Sequence, residues 1–262
     1  MTGSELFKHA YDMVRRNMGT AFRLSLVLFL ASLAFQMVFS FGLMSYPNLM
    51  LSLGTIPFIL LSYIPSIVSL VMGAWVAVAW HRYVLLEESS GGWIPPFHGV
   101  EVFRYILWVI ALFVIYLVLA LPIILVGAFS VTGIESGQNP SAGMIALFVV
   151  GFLATFLAVV IVLSRLSTSL VSRAVSQRLS LAGAWAATRG SSWPILMCAL
   201  IMLAIMFAYM IIAAILFAVL GAGVMIIVLP FHLLFSWFVI FFQISFMTTL
   251  YGVYVEGRGL VA

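Results

Sequence analysis

From Trp193 to Tyr254 the chain runs without a single Asp, Glu, Lys or Arg. A helix needs about 20 apolar residues, at about 1.5 Å each, to cross the roughly 30 Å hydrocarbon of a bilayer. This block is too long for one crossing and requires a turn inside it. "GAG", at Gly221, Ala222 and Gly223, is the stretch that turns most readily. Splitting there gives spans near 194–220 and 224–251, and four more apolar runs of sufficient length lie near 21–43, 56–80, 102–126 and 144–166. Helices and closed barrels are the structures that pair every backbone group in lipid. A barrel strand alternates polar and apolar residues over about ten positions, and none of these runs does. The sequence therefore predicts an all-α integral membrane protein with six transmembrane helices in a single polytopic domain over residues 1–262.

Composition excludes the soluble alternative. Hydrophobic residues make up 65% of the 262 and charged residues 7%, against roughly 45–50% apolar in a soluble domain. The one cysteine, Cys198, lies inside an apolar run, so no disulfide framework is expected. The first residues are charged and amphipathic, and the first apolar run exceeds the roughly 7–15 residues of a signal core, so no cleavable signal is expected.

The net charge of +4 reports topology rather than affinity for nucleic acid. Lys8, Arg15, Arg16 and Arg23 precede or begin span one, Arg82 ends span two and Arg104 begins span three. Arg165, Arg173, Arg178 and Arg189 lie between spans four and five, and Arg258 follows span six. With six spans all eleven basic residues fall on one side, and Glu135 is the lone formal charge of the opposite loops. The positive-inside rule then places both termini in the cytoplasm. Most of the tryptophans, Trp80, Trp93, Trp108, Trp185 and Trp193 among them, gather toward the same face, where indole rings prefer the headgroup level. Trp237 alone sits deep.

The spans group as three hairpins with cytoplasmic lead-in segments. In the first lead-in, 4–18, Leu6, Phe7, Ala10, Met13 and Val14 share one face, which describes an interfacial amphipathic helix capped by Thr2 with Glu5. Ala10-Tyr11-x-x-x-Arg15 there aligns with Ala184-Trp185-x-x-x-Arg189 in the third lead-in, as a true repeat or as the pattern of any basic-to-apolar transition. The middle lead-in is short and broken by Pro95 and Pro96.

"AYDMVRRNMGTAFRLSLVLFL", "AWVAVAWHRYVLLEE" and "LAGAWAATRGSSWPILMCALIM" together resemble a broad group of bacterial six-span membrane proteins. That group is similar to the membrane domain that precedes some glycerophosphodiester phosphodiesterases. The resemblance implies the architecture and a bacterial cytoplasmic (inner) membrane. It carries over no reaction and no catalytic residue, because no stretch outside the spans is long enough for the catalytic domain.

Motifs of chemistry are few. The chain has no glycine-rich phosphate loop, His-Glu-x-x-His zinc helix or Gly-x-Ser-x-Gly elbow, and no carboxylate lies within a span as a proton-coupled transporter would place it. No enzyme activity, metal or cofactor is expected. Pro57, Pro65, Pro122 and Pro230 read as shaping helix ends and kinks. Among intramembrane polar residues, His232 is a neutral imidazole bonded to a neighbouring helix or else a ligand or proton relay. Gln36 and Gln243 read as interhelical hydrogen-bond partners rather than ligand contacts, and Ser62, Ser66, Ser69 and Gly73 as a stripe for close packing rather than a polar permeation path. The basic rim is the candidate site. Trp80, His81, Arg82, Arg104, Arg165, Arg173 and Arg189 lie at one depth, with Arg165 deepest and expected to snorkel. Such a rim either anchors the protein or holds an anionic lipid headgroup.

Two function classes follow. One is a non-catalytic accessory subunit, assembly factor or lipid-organising scaffold, with membrane lipids and a membrane-protein partner or a second copy as its contacts. The other is a transporter or lipid-handling protein that moves an anionic amphiphile past the rim.

Overall fold

The computed structural model describes residues 1–46, 48–89, 91–135 and 141–259. It is 85% helical, with no strand among the described residues, and six helices or helix pairs are long and apolar enough to cross a membrane. The protein is an all-α six-span membrane protein.

Helix α1 (Gly3–Arg16) leads into α2 (Met18–Met44), the first span. Its start is a capping box: Glu5 N–H donates to Thr2 Oγ1 (3.2 Å), and Thr2 N–H donates to Glu5 Oε2 (2.7 Å). The Thr2 amide holds the Glu5 carboxyl below its usual range. Span two is divided into α4 (Thr55–Ser62), which follows a short outer helix α3 (Leu49–Leu53), and α5 (Ile64–Leu86). The break falls at Tyr63, where Pro65 occupies the first turn of α5, the position at which a missing N–H costs nothing. Span three is α6 (Gly99–Glu135). It continues past the expected end at 126, with no proline between Pro122 and Pro140 to stop it. Residues 136–140 of the expected outer loop lie outside the described residues, as does Ser90 in the expected break at Ser89–Gly92.

Span four is α7 (Ala142–Leu166), which breaks at Ser167 and continues as α8 (Thr168–Ala174). The third lead-in is α9 (Leu181–Ala187), capped by Ser180 Oγ, which accepts from Gly183 N–H (3.0 Å). Spans five and six are α10 (Ser192–Leu220) and α11 (Met225–Tyr254). They are joined where expected, by a 3-10 turn at Gly221–Val224 with Gly221 at φ 64°, a backbone state that glycine adopts freely.

The ends that carry the basic residues meet at one end of the bundle. Tyr83 on α5 donates to Asn17 between α1 and α2 (2.9 Å), and Arg258 after α11 donates to Leu85 O (3.0 Å). Arg82 donates to Ala174 O at the end of α8 (3.1 Å), and Ser176 to Glu101 at the start of α6 (3.0 Å). We refer to this as the basic end.

Packing is concentrated in that half. α2 turns Ala21, Leu24, Ser25, Leu28 and Ser32 inward at helical spacing and packs on α5. The buried residues of α5 run from Ala74 onward and those of α11 from Trp237 onward. α8 is buried along nearly its whole length between α5, α6 and α11. α1 does not lie free at the interface. Leu6, Ala10 and Val14 are fully buried, the first two against Ile195, Cys198, Phe242 and Phe246 of α10 and α11. The first two hairpins pack as pairs, α2 on α5 and α6 on α7. The third is spread: α10 packs on α7 and α1 rather than along α11. The α10 and α11 helices meet through their turn and through Tyr209, which bonds His232 and stacks on Phe235 (4.2 Å).

Candidate functional site

Three consecutive residues on α5 face three directions, because successive helical positions are about 100° apart. Trp80 is fully buried, its Nε1–H donating to Ser245 Oγ on α11 (3.0 Å) and its ring edge-on to Phe241. His81 is also fully buried, with Nδ1 2.8 Å from Thr248 Oγ1. That hydroxyl already donates its proton to Ile244 O (2.8 Å), so Nδ1 carries the hydrogen and donates to Thr248. The Tyr105 hydroxyl of α6 stands 3.5 Å from Nε2. Trp80 and His81 thus clamp α5 to α11 and α6 and present no surface to a headgroup, which removes both from the rim.

Arg82 is largely covered, its side chain 12% exposed, and is committed to protein acceptors. Its Nε and Nη2 bind both oxygens of Glu88, the first at 2.8 Å, while Nη1 donates to Ala174 O. These bonds hold the Glu88 carboxyl below the usual carboxylate range. His98 stands 3.6 Å from the same carboxylate. Arg165 does not snorkel. Its guanidinium lies under α9, 3.5 Å from the Trp185 ring centroid, with Nε donating to Thr188 Oγ1 (3.1 Å) and Nη2 to Trp185 O. The lead-in helix brings an aromatic face and acceptors to the arginine, so the side chain folds inward and pins that helix. Arg189 is exposed close by, adding a like charge. Arg82, Arg104 and Arg165 therefore do not gather around one point.

A different set does converge. Arg104 and Trp108 are one turn apart on α6, and Arg173 is in the last turn of α8. α8 ends with Ser176 at φ 61° and the Gln177 amide donating back to Ser172 O (2.7 Å). This reversal brings Arg178 beside Arg173. Arg104, Arg173 and Arg178, with Leu107 and Trp108, line an open hollow of about 360 Å³. The Arg173 guanidinium lies 4.8 Å from the Trp108 ring centroid and donates weakly to Leu179 O (3.4 Å), while its Nε is buried without a hydrogen-bond partner. No ion pair forms to any of the three among the described residues. Three like charges held together with donors to spare could pair with an anion, since guanidinium forks match the paired oxygens of a phosphate. The sequence pattern placed Arg104 and Arg173 on the rim together, but not Arg178 or Trp108 beside them. The spacing of Arg104 and Trp108 was visible, whereas the reversal at Ser176 was not.

The remaining polar candidates lie elsewhere. Gln36 donates to Ser69 Oγ (2.8 Å), which also pairs with Ser32 (3.0 Å), an interhelical contact of the expected kind. His232 Nδ1 is 3.0 Å from Tyr209 OH on the neighbouring span. Among the described residues Gln243 makes no such bond, and it lines an apolar cleft. Gly73 is exposed with open space around it, and Ser62 bonds its own helix at Ile59 O, so the small-residue stripe is a packing face only at Ser69. Among the described residues no three His, Cys, Asp or Glu side chains come together to hold a metal.

Comparison with family models, curated proteins and solved structures gives no match.

Proposed function

We propose that this chain is a non-catalytic membrane protein that organises anionic lipid at its basic end, as a scaffold or as the accessory subunit or assembly factor of a larger membrane assembly. The observation that carries the reading is the Arg104, Arg173 and Arg178 hollow, whose cations have no carboxylate partner among the described residues. Each basic residue near an anionic membrane surface contributes about 1 kcal/mol, so three together give roughly a hundredfold preference over a neutral headgroup. The orientation belongs to the same proposal. The basic end faces the cytoplasm of a bacterial inner membrane, with both termini inside, and the resemblance to phosphodiesterase membrane domains supplies architecture alone.

A second reading, handling or transport of an anionic amphiphile, is favoured by the lipid-side cleft that Gln243 lines. The two separate in liposomes: a scaffold holds its lipid, whereas a handler speeds exchange of labelled lipid between leaflets.

Extraction in mild detergent followed by lipid mass spectrometry tests the proposal. Wild type is expected to retain an anionic phospholipid near one per chain, and Arg104→Gln/Arg173→Gln/Arg178→Gln to lose it. Equal retention by both proteins would overturn it.

A further inference from the structure

A larger cleft shares helices α6 and α8 with the hollow. A cleft of about 560 Å³ opens on the lipid side between α6, α7, α10 and α11, with α8 at its basic end. Its volume falls within the roughly 300–1,000 Å³ of small-molecule sites, and its wall is largely apolar, with Leu112, Met202 and Phe246 typical of it. The cleft exists because α10 packs on α7 and α1 rather than along α11.

Cleft and hollow share two helices. On α6 the hollow has Arg104 and Trp108, and the cleft begins at Val109 and extends to Tyr116, about 12 Å further at 1.5 Å per residue. On α8 Arg173 belongs to the hollow, and Leu170, one turn away, to the cleft. The cationic and apolar linings thus occupy neighbouring turns of both helices. We infer that hollow and cleft form one site for a single phospholipid, its phosphate on Arg104, Arg173 and Arg178 and one acyl chain lying in the cleft. The inference rests on the headgroup reading above and adds the class of ligand: a phosphate amphiphile with a long chain, as distinct from free phosphate or a headgroup alone.

The test uses the full chain in phosphatidylcholine nanodiscs doped with phosphatidylglycerol carrying a diazirine near the end of one acyl chain. After illumination, adducts are expected to concentrate on peptides containing 109–116 and 202–206. They are expected to spread over the lipid-facing surface in Arg173→Gln/Arg178→Gln, and to leave the cleft in Ala199→Phe, which fills it while leaving the arginines intact. Inorganic phosphate and glycerol 3-phosphate are expected to displace the lipid poorly. Even labelling of wild type would overturn the inference, and so would a cleft that stays dark because a partner's helix or a second copy fills it. Cleft labelling that ignores the arginine changes, or displacement by inorganic phosphate as effective as by lipid, would do the same. Failure here with anionic lipid still retained through the triad leaves the headgroup reading standing. Loss of that retention difference removes both.

Discussion

At the scale of single residues, burial rather than chemistry decides what the polar groups of the basic end do. Trp80, His81 and Arg82 are neighbours in sequence, yet the first two bond Ser245 and Thr248 in the interior and the third bonds Glu88 outside. Thr248→Val keeps the shape of the side chain but leaves the His81 Nδ1–H without an acceptor. We expect a loss of about 1–3 kcal/mol in unfolding free energy, measured by chemical denaturation in detergent, with the fold retained. Glu88 gives a pH signature. Arg82 holds its carboxyl below the ordinary range, so its contribution is fully present above the unfolded carboxylate's pKa and fades as pH falls through the lowered one. With the carboxylate 41% exposed, the pair contributes about 1 kcal/mol or less. Thermal melts should place Glu88→Gln slightly below wild type at neutral pH, with the gap closing below about pH 4. The clamp was hidden in sequence because the direction of each side chain depends on which helix packs behind α5. That three adjacent residues could not share one face was legible from helical spacing alone.

At the scale of elements, the apolar runs, their turns and the lead-in helices α1 and α9 were readable, and α8 was not. The turn at Gly221 falls where the sequence placed it, because no other local stretch lets the backbone reverse. α8 is the opposite case. Its Thr168, Ser169 and Ser172 suggest a polar loop, but each hydroxyl donates to a carbonyl three residues back, at 3.0, 2.6 and 2.7 Å. A helix that satisfies its own hydroxyls in this way can be buried at little cost. The capping box of α1 was legible; the destination of its apolar face was not, since lipid and protein are equally apolar targets. That docking depends on Gly3, where an added Cβ would meet Met197 Cβ and stand 2.9 Å from Pro194 O. Gly3→Ala should force α1 off α10 at a cost of about 1–3 kcal/mol, typical of overpacking. Hydrogen exchange should then show weaker protection of residues 3–16 with the spans unchanged. Unaltered protection would mean that the contact yields locally.

At the scale of the whole molecule, two halves differ in construction. The basic half is filled by α1, α8 and α9 and clamped by buried polar pairs, whereas toward the other end large apolar side chains such as Met37, Phe41 and Met44 stay exposed on the spans. Charge counting alone anticipated this asymmetry in outline, because every basic residue falls on the side that the structure closes. It could not anticipate how the arginines divide. Arg82 and Arg165 are committed to protein acceptors, while Arg104, Arg173 and Arg178 face an open hollow. An experimental structure in nanodiscs of anionic phospholipid tests that division most directly. A phosphate is expected among Arg104, Arg173 and Arg178, against Trp108. A hollow without phosphate in that bilayer, with the three arginines turned to partners of their own, would contradict it.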